Sequence, residues 1–205
     1  MWVLEAKFRD LLTLYNAQLL RGLTEPCLGV TRCVAHSMST ALGAVADVPR
    51  QYRWTRRAAP VDASAYLDAG FGAFDRFRAL SERARLEASR RREMSKTILC
   101  CVATTYVDKV TEVLEGVEKT SSSLSRLKKH QVTQPQPGIG GATGMSGQTT
   151  DDAKIRKQLS LDMAKFGEFL QKWDFLADTK EMRRVEELND TLRRKTDDTV
   201  EVIAE

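Results

Sequence analysis

Between Glu93 and Lys129 the apolar residues Ile98, Val102, Tyr106, Val110, Val113, Val117, Leu124 and Leu127 recur mostly at steps of three or four. That spacing lines one side of an α-helix. Ser121 to Ser123 weaken the stripe, no proline interrupts it, and Gly116 is its one poor helix former. At ~1.5 Å per residue the helix reaches on the order of 55 Å, too long to bury itself alone. Glu115 and Lys119 stand in the favourable i, i+4 order on the outer side. The pattern predicts a spine with a charged outer face and an apolar face that needs partners.

Other stripes supply the partners. Leu4, Phe8, Leu11, Leu12, Tyr15 and Leu19 predict a helix from about Trp2 to Arg21, ending at Gly22. Pro26 suits the first turn of a second helix, with Leu28, Val30, Val34, Met38, Leu42 and Val45 on its face to about Ala46. Pro49 and Pro60 disfavour helix just before them and make the stretch from Val48 to Ala63 a bend or loop between helices, with room for a short helix between the prolines. A third helix starts near Ser64 and carries Tyr66, Leu67, Phe71, Phe74, Phe77 and Leu80, weakened locally by Gly70 and Gly72. A further clear stripe of Ile155, Leu159, Met163, Phe166, Leu170 and Trp173 begins at Asp151 and Asp152, whose charge suits a helix N-terminus.

The expected fold is therefore all-α, a bundle of about five or six helices. Residues 1–129 form the bundle with the long helix 93–129, and 151–177 hold the helix that closes it. Residues 130–150 are rich in Gly, Pro, Gln, Ser and Thr, a composition that cannot bury a core, and read as a flexible insert. Residues 178–205 read as a polar, weakly helical tail.

Composition narrows the function. The 205 residues are 42% hydrophobic and 29% charged, enough to bury a core. A net charge of +4 from 32 basic and 28 acidic residues is a mixed surface, not the one-signed field of a dedicated nucleic-acid binder. Cys27, Cys33, Cys100 and Cys101 show no C-x-x-C spacing and read as reduced, buried thiols. No apolar run approaches the ~20 residues of a membrane span. The start, with Glu5 inside an amphipathic pattern, reads as neither a secretory signal nor a transit peptide.

Candidate chemistry is sparse. His36 and His130 lack partners at metal-ligand spacing, and no Gly-x-Ser-x-Gly is present. Gly138 to Gly144 lacks the strand, glycine spacing and Lys-Ser/Thr ending of a phosphate loop. These residues predict no enzyme, no cofactor and no metal. Arg90, Arg91 and Arg92, leading into a long helix of near-heptad spacing, raise an alternative: a basic helical dimer that binds nucleic acid. Against it stand Glu87 and Glu93 within the basic stretch and the many helices beyond the one that a zipper needs. The arginines also read as a solvated face or as a contact for anionic lipid. Trp54, Trp173 and Phe175 are the aromatic candidates for partner contact, since aromatic and Arg side chains make favoured anchors.

Three blocks carry a resemblance. They are Val48-Pro49-Arg50-Gln51-Tyr52-Arg53-Trp54-Thr55 with Pro60 and Ser64-Ala65-Tyr66; then Tyr106, Val113-Leu114, Val117, Lys119-Thr120 and Ser123 to Lys128; and Asp151 to Asp162 with Phe166-Gly167. In this order they resemble the C-terminal part of the second subunit of the conserved oligomeric Golgi complex. The family's long N-terminal coiled-coil portion has no counterpart in these residues. The resemblance implies a non-enzymatic, peripheral module of a multisubunit tether on the cytosolic face of the Golgi membrane, built of helical bundles and acting in retrograde vesicle traffic within the Golgi. Its implied partners are the other subunits of the complex, the vesicle-fusion machinery and the Golgi membrane surface, with no nucleic acid.

Overall fold

The computed structural model describes residues 27–50, 54, 58–131 and 151–204, with side chains described as far as Ser123 in the long helix and Thr196 in the last. Every regular element among them is helical: α1 (27–42), α2 (Tyr66–Arg83), α3 (Ala88–Gln131), α4 (Asp151–Gln171) and α5 (Lys180–Ala204), with short 3-10 turns at Gly43–Asp47 and Asp174–Leu176. The all-α expectation holds. The helix expected over Trp2–Arg21 lies outside the described residues, as does the insert from Val132 to Thr150.

The spine is α3, 44 residues long and therefore ~66 Å end to end. Its buried line includes Met94, Ile98, Val102, Tyr106, Val110 and Val117, and a second line holds Leu99, Ala103, Val107 and Leu114. Two lines make a wide apolar stripe, as a helix covered from two sides requires. The Glu115–Lys119 pair forms at 3.3 Å on the exposed side.

In α1 the buried line is Thr31, Ala35, Met38 and Leu42, continued by Val45 in the following turn. Val30 stands off that line and Leu28 is its open N-terminal end; they are 47% and 44% exposed, although the apolar pattern predicts both on the core face. Helix α2 meets α1 closely at Gly70, where a Cβ would stand 3.0 Å from Leu42 Cδ2. The glycine that weakens the helix locally is thus what permits this approach.

The end of α2 is a Schellman turn. Leu86 N–H donates to Ser81 O at 3.1 Å and Arg85 N–H to Glu82 O at 2.9 Å, while Arg85 takes the left-handed conformation at φ 54°. Glycine is the usual residue there, and a side chain in that region costs roughly 1–2 kcal/mol.

Helix α4 buries Ile155, Leu159, Met163, Phe166 and Leu170 as its stripe predicts, and Phe169 besides. It packs against α2, α3 and most extensively α5. Phe166 lies 4.6 Å from the Tyr106 ring of the spine, and Phe169 stacks on Phe71 of α2 at 4.0 Å.

The polar stretch after Asp178, expected as a weakly helical tail, holds the 25-residue α5. Thr179 caps it by accepting the Met182 N–H at 3.2 Å. Met182, Val185 and Leu192 are buried and Leu188 partly so; three or four apolar residues on one face suffice because α4 and α3 already supply the rest of the core. Arg184 pairs with Asp108 at 2.7 Å and Lys195 with Glu118 at 2.6 Å across to the spine. All four cysteines are free, but Cys33 and Cys101 are exposed, contrary to the expectation of buried thiols. Each sits off the buried line of its helix.

Candidate functional site

The polar centre of the bundle is built around Asp162, fully buried on α4. Its carboxylate accepts the Ser64 N–H at 2.6 Å, the Ser64 hydroxyl at 2.8 Å, the Tyr66 hydroxyl at 2.7 Å and the Gln158 amide at 3.0 Å. Gln158 also donates to Asp62 O at 3.0 Å. The N-cap position of α2 is Ala65, which has no side-chain cap to offer. A carboxylate from across the bundle holds that terminus instead, where the helix dipole favours negative charge.

Tyr66 and Tyr106 hydroxyls lie 3.0 Å apart. Tyr66 has one proton and gives it to Asp162, so Tyr106 donates to Tyr66. Burial first, then the neighbouring Tyr106 and Asp162, push the Tyr66 phenol far above its ordinary range. Burial followed by Asp162 does the same to Tyr106. Both rings stay protonated and neutral. With four donors on its two oxygens and no opening to solvent, Asp162 acts as a clamp rather than as a base that a substrate could reach.

A second buried contact lies about two turns upstream on α4. Lys154, 4% exposed, donates to Trp54 O at 2.9 Å, and the Trp54 indole N–H donates to Val48 O at 3.1 Å. The three motif blocks thus meet in space: Val48 and Trp54 with Lys154, Ser64 and Tyr66 with Asp162, and Tyr106 with Tyr66.

The residues expected to make surface contacts are not one site. Trp54 is buried in the core. Arg90 borders a small cleft with Cys27, Leu28 and Glu93, Arg91 pairs with Glu82 of α2 at 3.4 Å, and Arg92 lies 5.7 Å over the Phe175 ring. Consecutive helical residues diverge by about 100°, so the arginine run points to three surroundings. Phe175 and Trp173 do come together, 5.9 Å apart. Arg78 stacks 4.7 Å over Trp173, whose indole N–H is buried and meets no acceptor among the described residues.

Sequence reading missed two features. Asp162 stands beside Met163 in the apolar stripe of α4, and a carboxylate in such a stripe signals a buried partner. The other is an apolar groove of about 520 Å³ between α1 and α2, lined by Val30, Val34, Phe77 and Leu80 among others. Among the described residues no group of three His, Cys, Asp or Glu side chains could hold a metal ion, and no helix is long and apolar enough to cross a membrane.

Residues 6–163 match the family model described as COG complex component, COG2, C-terminal, a stretch that takes in every residue of the Asp162 and Lys154 contacts. The chain is similar to conserved oligomeric Golgi complex subunit 2 of Homo sapiens, 31% identical over 157 residues, covering 77% of this chain and 19% of the relative. It resembles the Caenorhabditis elegans subunit 2 at 30% over 151 residues, 71% of this chain and 20% of that one. The Drosophila melanogaster subunit 2 is 31% identical over 137 residues, 65% and 18%. The chain therefore spans about a fifth of the length of the curated relatives it matches. No solved structure matches it. With the family model spanning most of its length and the motif blocks joined in one buried junction, the chain belongs to the family of the C-terminal region of COG complex component COG2.

Proposed function

We propose that this chain is a helical scaffold module of a Golgi vesicle-tethering complex, working through protein–protein contacts and not through catalysis. In this reading it supports retrograde vesicle transport within the Golgi from the cytosolic face of the membrane. Its partners are other subunits of the complex, with the vesicle-fusion machinery and the membrane surface as further contacts. The supporting observation is the closure of the Asp162 junction. Ser64, Tyr66, Lys154 and Asp162, polar residues of the motif blocks, are taken up in enclosed contacts between loop and helices. Their work is to fix the shape of the bundle, which leaves the outer helix faces for partners.

The test is affinity purification, after cross-linking in cells, of the full protein that carries this chain. Other subunits of the complex should be recovered, with cross-links from this region to at least one of them. Recovery of none, under conditions that preserve a control subunit pair, overturns the reading.

A further inference from the structure

We infer that the groove between α1 and α2 is a docking site for an amphipathic helix of a partner protein that carries carboxylates along its flanks. The inference rests on the reading of the chain as an assembly module and names the surface and the chemistry of one contact.

The floor and walls are apolar: Val30, Val34, Phe77, Leu80, Leu86 and Met94 line a groove of about 520 Å³. Leu80 is 61% exposed and Val30 47%. Adjoining large apolar side chains left open to solvent in a concave setting mark an interaction surface rather than scattered surface leucines. A cleft walled by two helices accepts a row of side chains at i, i+3 or i+4 and i+7, the face that a third helix presents. A bilayer presents a plane and does not enter it.

The rim supplies the charge. Arg76 lines the groove. Arg83 and Arg85 stand exposed at the turn that carries Leu86, and Arg90 borders the adjoining cleft, which shares Cys27 and Met94 with the groove. None of these four arginines forms an ion pair among the described residues, and Glu93 is the one carboxylate that lines the groove or the cleft. Two of the arginines sit where local structure disfavours them. Arg85 holds the left-handed position that glycine usually takes, and Arg90 lies in the first turn of α3, which has no acidic residue there to answer the helix dipole. Positive charge at positions that disfavour it, around an apolar groove that no described residue fills, complements an acidic partner.

The probe is a fluorescein-labelled peptide of about 18 residues, long enough for five helical turns. It carries Leu at the i, i+3, i+4 and i+7 positions and Glu on the flanks, and a twin carries Lys in place of Glu. Binding to the full chain is read by fluorescence anisotropy. The Glu peptide should bind roughly ten-fold or more tightly than the Lys twin, and increasingly so as salt falls. Leu80→Asp should weaken it by a similar factor, with circular dichroism confirming an intact fold. The combined variant Arg76→Glu, Arg83→Glu and Arg90→Glu should invert the preference towards the Lys twin. Equal affinity for the two peptides, or indifference to Leu80→Asp, overturns the assignment. So does Leu80-dependent binding to phosphatidylserine vesicles without a preference between peptides, which would make the face a lipid contact. A roughly ten-fold gain in peptide affinity on Leu11→Asp with Leu12→Asp overturns it too, because the groove would then be the seat of the chain's own N-terminal segment. Any of these failures leaves recovery of the complex subunits, the test of the broader reading, unaffected.

Discussion

The Tyr66 hydroxyl donates to the Asp162 carboxylate at 2.7 Å across 96 residues of chain. That single bond ties the start of α2 to the middle of α4, and the Tyr106 hydroxyl behind it ties both to the spine. Asp162→Ala would leave the Ser64 and Tyr66 donors buried and unanswered, and should cost on the order of 3 kcal/mol. Tyr66→Phe removes one donor and should cost about 1–2 kcal/mol. Urea unfolding of the two variants and of the double variant checks this. The double should fall short of the sum of the singles, because the residues share one network.

The same junction sets a limit at alkaline pH. The folded Tyr66 phenol titrates far above its ordinary value of 10.0, so the unfolded chain loses this proton first as pH rises. Its contribution is fully present below about pH 10 and falls above it, since the folded state there binds more protons than the unfolded one. The urea midpoint should drop as pH rises above about 10. Tyr66→Phe should flatten that drop, and an unchanged slope would show that the phenol does not govern it.

Phe166 is fully buried against Tyr106 and Phe71, whereas Lys157 sits on the half-exposed side of the same helix. Phe166→Ala should cost about 3–5 kcal/mol through lost burial and a cavity, and Lys157→Ala under about 0.5 kcal/mol. Denaturant midpoints of the two variants give the comparison. Equal midpoints would mean that the bundle closes without this side chain.

Arg85→Gly relieves a left-handed side chain and should stabilise the fold by about 1 kcal/mol, seen as a higher thermal midpoint. The same variant loses one rim charge, so it should also bind the Glu peptide more weakly. A gain in stability together with a loss of affinity identifies a residue kept for its charge and not for the turn.

The order of the helices and most of their buried faces were legible in the residues themselves. A step of three or four fixes the angular position of an apolar stripe whatever lies opposite, so Ile98, Val102, Tyr106, Val110 and Val117 on α3 and Ile155 to Leu170 on α4 are buried where the pattern puts them, with Val113 partly so. The acidic start of α4 and the Glu115–Lys119 pair are equally local matters. Periodicity does not say which of two neighbouring lines is covered. In α1, Thr31, Ala35 and Met38 are buried, while Leu28, one step earlier on the same line, and Val30, off it, are largely exposed. Nor does it distinguish a buried tryptophan from an exposed one. Trp54 lies in the core, its indole N–H held by nearby Val48 O and its carbonyl by the Lys154 ammonium, which comes from a distant part of the chain. Residues 178–205 carry few apolar side chains, and α5 is held because Met182, Val185 and Leu192 pack into the core it shares with α4 and α3. The Asp162 carboxylate is tolerated in an apolar stripe because four donors converge on it; Gln158 is one turn away on the same helix, but the two donors of Ser64, 98 residues away, and the Tyr66 hydroxyl are brought there only by the tertiary structure.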